Sequence, residues 1–498
     1  MSEAMGLNRS TAPADALIVK GQTPSTGIVH LGLGNFHRAH FAVYTAKAVA
    51  VSGGDWGIYA YSFRSKALSE ALNAQDLLYS VIDFAPTSEA VAIPAIHTAA
   101  VAGPEKAGEV IHQIAQPSTK IISITVTEAG YSISQKTGGL DLERADVQAD
   151  LQGHSPVTLV GLLARGLQAR LRAGAGPITV LSCDNLSNNG DRTKKQVTEF
   201  IKALPDNESA ELVSFVEKHV TFPNSMVDRI VPGTEERHLK LAQDRLGVCD
   251  SSPVPAEPFS MWALEDNFAA GRPAWEKAGV IFTEHVEQFE IMKLRLLNGA
   301  HSLLAYFGAL DNQETIPDSR FQPFIEEALR NVLFEEYLPT LTMPEGLTAD
   351  SYINQLFLRW SNTVLGDKTN RVGSDGSTKL PQRITEPVVF LTKHQKSTEF
   401  LALTVSAWLA CIAPMNGFEP GVHARAMKDP AQERLKEYAM ASKTPGEMVA
   451  KVFSQGNIFS PALASISSFT ESVANYLDLI FTSGIKSAVE KALELSKP

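Results

Sequence analysis

Cysteine is nearly absent from this chain: three occur in 498 residues, Cys183, Cys249 and Cys411, far apart and never in C-x-x-C spacing. That scarcity excludes a disulfide framework and a structural zinc site, and it points to a reducing compartment. Long apolar runs are missing too. The longest, Phe400 to Met415, is short for a bilayer span and contains Thr404 and Ser406, so it reads as a buried core helix. The N-terminal stretch MSEAMGLNRSTAPADALIVKG has no apolar h-region, so no secretory signal is expected and the chain reads as cytoplasmic. Positive charge is in deficit, with a formal net charge of −11. That balance gives no support to nucleic acid or an anionic membrane surface as a partner. Internal repeats, low-complexity linkers and His/Cys/carboxylate trios at metal-ligand spacing are also lacking, so no metal is expected.

What is present is an ordinary globular composition, 44% hydrophobic and 20% charged. A chain of 498 residues is well past the roughly 250 to 300 at which single cores stop growing, so two or three domains are expected. From Gly27 the text TGIVHLGLGNFHRAHFAVYTAKAVA reads strand, glycine turn, helix. DWGIYAYSF, TKIISITVTEAGY (119–131) and GPITVLSCDN (176–185) read as further β-branched strands, with apolar helical stretches between them. Such alternation argues for a parallel sheet covered on both faces. After about residue 285 helical periodicity takes over, with a polar loop expected at Gly373 to Gly376. The fold class is α/β: a Rossmann-type domain with a mainly parallel sheet over 1–284, then a mainly α-helical domain over 285–498.

Four constellations carry chemistry. In HLGLGNFHRAH, Gly32 permits a tight turn after the strand and Gly34 lets a pyrophosphate approach backbone N–H groups, although His37 stands where a third glycine is usual. The cofactor contacts expected from this motif are Gly32, Gly34, Asn35, Phe36, His37 and Arg38. In KLRLLNGAH, at about 100° per residue, Asn298 lies roughly 140° and His301 roughly 80° around a helix from Lys293. A cation, an amide and an imidazole in one sector of an apolar helix either satisfy one another or line a cavity. SCDNLSNNG places Asn185, Asn188 and Asn189 after a strand, at the end where open α/β sheets bind ligands. TFPNSMVDRIVP sets Asp228 beside Arg229, a pair that is more often structural than catalytic.

Together, G-x-G-x-F-H-R-A-H, S-C-D-N-x-x-x-N-G, F-P-N-S-M-V-D-R-I-V-P and M-K-L-R-L-L-N-G-A-H resemble the polyol-specific, long-chain mannitol dehydrogenase family, and residues 257–277 look like another of its blocks. The resemblance runs from about residue 27 to the C-terminal helices. It implies that Lys293 is the general acid–base and that Asn189 and Asn298 polarise the reacting oxygen. It further implies that Asp228, His301, Arg371 and Lys379 orient the substrate, and that Glu128 and Glu290 lie near the proton exit route. The chemistry is coherent in itself. A lysine takes a hydroxyl proton only when neutral, and two amide donors stabilise a developing alkoxide. The implied activity is metal-independent, NAD(P)-dependent oxidation at C2 of a linear polyol to a ketose, in a chain that by family habit is monomeric. KLPQR (379–383) looks more like the sugar-acid reductases that interconvert fructuronate and mannonate, whereas Arg371 followed by Val372 looks more like the mannitol enzymes. A phosphorylated polyol and a non-catalytic dinucleotide sensor are the remaining alternatives.

The cofactor reading turns on the end of the second strand. NAD-selective sites usually place an acid there to bond the ribose hydroxyls. Here Arg64, Ser65 and Lys66 follow WGIYAYSF, and the next acid is Glu70. NAD-preferring relatives carry an acidic pair at the positions of Lys66 and Ala67, so Arg64 and Lys66 lead to the expectation that NADP is accepted.

Overall fold

The computed structural model describes residues 5–85, 88–134, 137–415 and 417–496; the side chains of Ser88 and Glu128 lie outside what is described. By internal contacts the chain divides into two units, Met1–Glu287 and Gln288–Pro498.

In the first unit six strands form one sheet: β1 (Thr26–Leu31), β2 (Gly57–Ser62), β3 (His97–Ala102), β4 (Ile121–Ile124), β5 (Ile178–Ser182) and β6 (Val220–Thr221). Their order is β3-β2-β1-β4-β5-β6, and every neighbouring pair is parallel. This is the doubly wound order of dinucleotide-binding folds. Because helices cover both faces, β4 and β5 are buried along their whole length, which is why they read as near-continuous aliphatic runs. One layer of core gathers Phe41, Trp262 and Trp275, and the other Leu163, Leu167 and Phe200.

The strand expected over 119–131 stops at Ile124, and Glu128–Tyr131 forms a 3₁₀ turn instead. The physical reason is a competing acceptor: the backbone N–H of Val126 donates to Asp184 Oδ1 at 2.6 Å. A small sheet of Ser225–Asp228, Met261–Leu264 and Ile281–Phe282 places Asp228 opposite Met261. Arg229 next to it is buried and donates to the carbonyls of Glu257 and Ala39; its carboxylate partner is Asp83.

The helix Val286–Met292, which begins two residues before the second unit, runs on through a π-helical segment, Lys293–Gly299, into Ala300–Leu310. The apolar run at 400–415 is mostly a core helix, Glu399–Ile412, buried at every residue from Phe400 to Ile412. Its Ser406 hydroxyl accommodates burial by donating to the carbonyls of Ala402 and Val473. The polar loop expected at 373–376 shrinks to Ser374 and Asp375, between helices Thr369–Gly373 and Gly376–Lys393. Asp375, at φ 61°, makes that sharp turn. Arg371 and Lys379 therefore stand on helices. No helix among the described residues is long and apolar enough to cross a membrane.

Candidate active site

A cleft opens in the first unit beyond the carboxyl ends of β1, β2 and β4, bordered by Gly32, Leu33, Ser62, Phe63, Arg64, Ser65 and the 126–132 loop. Gly32 has φ +110°, and a Cβ there would overlap the carbonyl oxygen of Thr125, so only glycine makes this turn. Gly34 differs. Its backbone is extended and the nearest atom to an added Cβ, Gly32 O, is 3.7 Å away. The protein itself leaves room for a side chain at Gly34; only a ligand approaching the backbone would need the space.

The four residues after Gly34 secure the turn from beneath rather than bordering the cleft. His37 is fully buried, its ring stacked on His30 with centroids 3.4 Å apart and its Nε2 2.9 Å from His97 Nε2. Arg38 donates to the Ser252 carbonyl at 2.6 Å and to Asn35 Oδ1 at 2.7 Å. Asn35 donates to the Pro232 carbonyl at 3.3 Å, and Phe36 stacks on His40. These side chains are thus engaged within the protein, and in the slot of the third glycine the imidazole turns inward. Arg64 borders the cleft, whereas Lys66 opens the helix Lys66–Ala74, capped by Ser65, and pairs with Glu105.

Asn189 also departs from expectation. It is fully buried; its amide N–H groups go to the carbonyls of Asp184 (3.0 Å) and Ser225 (2.8 Å), and its Oδ1 accepts from Ser225 N–H at 2.9 Å. With both donors committed to backbone, this amide ties the SCDNLSNNG turn to the strand Ser225–Asp228 and has none left for a substrate oxygen. Asn185 and Asn188 lie exposed on the same turn. A residue the motif reading passed over, Asp184, anchors the cleft-lining loop. Its Oδ2 accepts from Tyr131 Oη at 2.5 Å, alongside the Val126 bond, and burial lifts its carboxyl to about 7. The signal was present as the aspartate of S-C-D-N.

In the second unit the π segment rearranges the helical wheel. With N–H groups bonding five residues back, Lys293 and Asn298, five positions apart, come about one turn apart on the same side. Both are half-buried. His301 follows at the start of the α-helical continuation, its Nε2 sealed from solvent and without a hydrogen-bond partner among the described residues. Burial, then the charges of Arg371, Arg383, Arg359 and Lys379, hold its pKa well below the ordinary histidine value, so the ring is neutral. Lys379 donates to the Ser374 carbonyl at 2.7 Å, and burial, then Arg383, brings its ammonium down to about 8. Arg371 forms a two-pronged pair with Asp367, at 2.7 and 2.5 Å. Arg383, quoted in KLPQR but given no role in the motif reading, donates to the carbonyl of Asn298. Glu290 is half-buried one turn before Lys293, and Asp228 is buried in its strand. Glu128 sits in the 3₁₀ turn beside the cleft, its side chain outside the described set. Among the described residues no group of three His, Cys, Asp or Glu side chains could hold a metal ion.

A parallel sheet of this order with a cleft at its glycine turn defines a dinucleotide-binding protein. The family descriptions "Mannitol dehydrogenase Rossmann domain" and "Mannitol dehydrogenase C-terminal domain" match residues 26–277 and 285–481. D-mannonate oxidoreductase of Escherichia coli strain K12 is 39% identical over 387 residues, 77% of this chain and 79% of that one. Polyol:NADP oxidoreductase of Gluconobacter oxydans is 36% identical over 389 residues, with the same coverage of 77% and 79%. The structure of Pseudomonas fluorescens mannitol 2-dehydrogenase, a ternary complex with NAD and D-mannitol, superposes with a TM-score of 0.87 at 32% identity, covering 99% of this chain and 100% of that one. The chain belongs to the mannitol dehydrogenase family and is an oxidoreductase of the NAD(P)-dependent alcohol dehydrogenase kind.

Proposed function

We propose that the chain transfers hydride reversibly between a nicotinamide dinucleotide and C2 of an open-chain polyol, of the D-mannitol to D-fructose type, with Lys293 as general acid–base. The observation that carries this reading is the π turn, which brings an amine and an amide to one side of an otherwise apolar helix. A secondary alcohol that loses hydride from carbon must also lose its hydroxyl proton. The Lys293 amine takes that proton in oxidation and returns it in ketone reduction. The Asn298 amide donates to the reacting oxygen as its negative charge grows. Neutral His301, with Nε2 uncommitted, bonds a substrate hydroxyl, and Asp228, Arg371 and Lys379 give further polar partners along the carbon chain. Glu290 and Glu128 are the carboxylates we place on the proton's way to solvent.

The nicotinamide ring, when bound, supplies or takes up the hydride. Gly32, the open backbone at Gly34, Arg64 and Ser65 are the groups of this chain that would hold the dinucleotide. Phe63 to Ala67, directly after β2, include no acid, so Arg64 and Ser65 can meet a 2′-phosphate, and NADP is accepted alongside NAD. The relative from Gluconobacter oxydans, whose name includes NADP, supports this.

A second reading shares the chemistry but takes a sugar acid, D-mannonate to D-fructuronate. Its support is specific: Arg359, Arg371, Lys379 and Arg383 all act on His301, and no carboxylate pairs with Arg383 among the described residues. Initial rates with D-mannitol and D-mannonate, each with NAD and NADP, test both readings. A higher kcat/KM for D-mannitol supports the first, a higher value for D-mannonate replaces it with the second, and turnover of neither contradicts both.

A further inference from the structure

The π turn that carries Lys293 and Asn298 is out of step with the α-helix that follows it. Breaks of this kind are rare overall but frequent at functional sites, and a side chain that bonds the backbone can hold one in place. The side chain that bonds the backbone of this turn is Arg383, from the helix Gly376–Lys393. Its Nη1 donates to the Asn298 carbonyl at 2.9 Å and to Ser302 Oγ at 2.6 Å, while the Ser302 hydroxyl donates to the same carbonyl at 3.3 Å. The three groups form a closed triangle around one carbonyl of the turn.

The neighbouring positions are braced as well. At Gly299 a Cβ would overlap the phenol of Tyr337, a fully buried residue that ends a second π segment, Val332–Tyr337. Arg295 is tied through Nη1 to Thr340 and through Nη2 to Glu386 at 2.8 Å. Arg383 differs from Arg295 in having no carboxylate partner among the described residues; its hydrogen bonds go to the Asn298 carbonyl and to Ser302. Placing a half-buried guanidinium there without a carboxylate is costly unless the geometry it holds matters.

We propose that Arg383 is a positioning residue: its guanidinium holds the π turn in the register that keeps the Lys293 amine and the Asn298 amide on one side of the helix. This rests on the reading of Lys293 as acid–base. It assigns Arg383 an effect on the rate of the chemical step with any substrate, rather than a grip on a substrate's carboxylate.

The test is steady-state kinetics of Arg383→Ala, Arg383→Lys and Ser302→Ala, with D-mannitol and D-mannonate as probes and thermal unfolding and NADH binding recorded for each variant. Arg383→Ala should lose kcat by roughly tenfold or more, the scale of a lost charge-assisted hydrogen bond, with KM and NADH affinity little changed. Arg383→Lys should recover part of that loss, and millimolar guanidinium should restore part of the alanine variant's kcat. Should the alanine variant not fold, Ser302→Ala carries the same comparison with a smaller kcat loss. An unchanged kcat in folded variants, or a loss confined to the KM for D-mannonate, would overturn the proposal. Lys293→Ala, run beside them, separates the two levels. Wild-type turnover there removes the acid–base reading itself, whereas an inactive Lys293→Ala with an unaffected Arg383→Ala removes only the role of Arg383.

Discussion

The imidazole of His30 stacks on that of His37 with ring centroids 3.4 Å apart, directly beneath the glycine turn. His30 Nδ1 meets Ser123 Oγ at 2.8 Å, and His37 Nε2 meets His97 Nε2 at 2.9 Å. All three rings are fully buried, and burial lowers His30 and His97 to about 3 and His37 well below its usual value. An unfolded histidine titrates near 6.5. As pH falls from about 6.5 toward about 3, the unfolded chain therefore binds protons that the folded chain refuses, and stability is lost over that window at roughly 1 kcal/mol per pH unit for each ring. Asp184 and Glu336, raised by burial to about 7 and about 8, act with the opposite sign. Urea midpoints of wild type and His97→Gln, compared at several pH values from 7 down to 5, isolate the histidine contribution. The variant should show the shallower acid loss; parallel curves would show that the buried rings do not govern it.

The two glycines of the turn should behave differently. Gly32→Ala sets a Cβ into the Thr125 carbonyl at a positive φ, so it should destabilise the first unit and abolish NADH binding. Gly34→Ala has free space and an extended backbone, so its stability should stay within about 0.5 kcal/mol of wild type. Its NADH affinity should nevertheless fall, because the added methyl occupies the ligand's approach. NADH fluorescence titration alongside thermal unfolding decides this, and wild-type affinity in Gly34→Ala would place the dinucleotide away from that backbone.

Asn189 offers a choice between fold and chemistry. Removing its amide in Asn189→Ala leaves the Ser225 N–H and two carbonyls unpaired in a buried site, and a loss of roughly 2–4 kcal/mol of stability is expected. An oxyanion donor would instead lose kcat at unchanged stability. Unfolding midpoint and kcat measured on the same preparation separate the two outcomes.

Cofactor choice should rest on Arg64 more than on Lys66, whose charge Glu105 already engages. Arg64→Ala should reduce kcat/KM for NADP roughly tenfold while leaving NAD nearly unchanged, as expected for one lost bond to a phosphate. Equal losses with both cofactors would show that Arg64 does not meet the 2′-phosphate.

Much of this was legible in the sequence. Alternating strands and helices up to about residue 285, the glycine turn and the K-x4-N-x2-H spacing are local patterns, and local patterns survive translation into structure. The π register was not legible, because a 100° wheel assumes the α ladder, while the Asn298 carbonyl is bonded by Arg383 from 85 positions away. The burial of Asn189 was hidden for a similar reason: Ser225, 36 positions on, takes up its amide. The motif gives the place of His37 in the chain and not the direction of its ring, which His30 and His97 settle from two strands packed against its helix.

The most direct test of Lys293 as acid–base is the pH dependence of polyol oxidation by wild type and Lys293→Ala, with NADH affinity measured on both. Wild-type oxidation should rise with pH as the amine becomes neutral, with ketone reduction falling over the same range. Lys293→Ala should lose kcat by about 10²- to 10⁴-fold and lose that pH dependence, while binding NADH as wild type does. Wild-type turnover or an unaltered pH profile in Lys293→Ala would contradict the account.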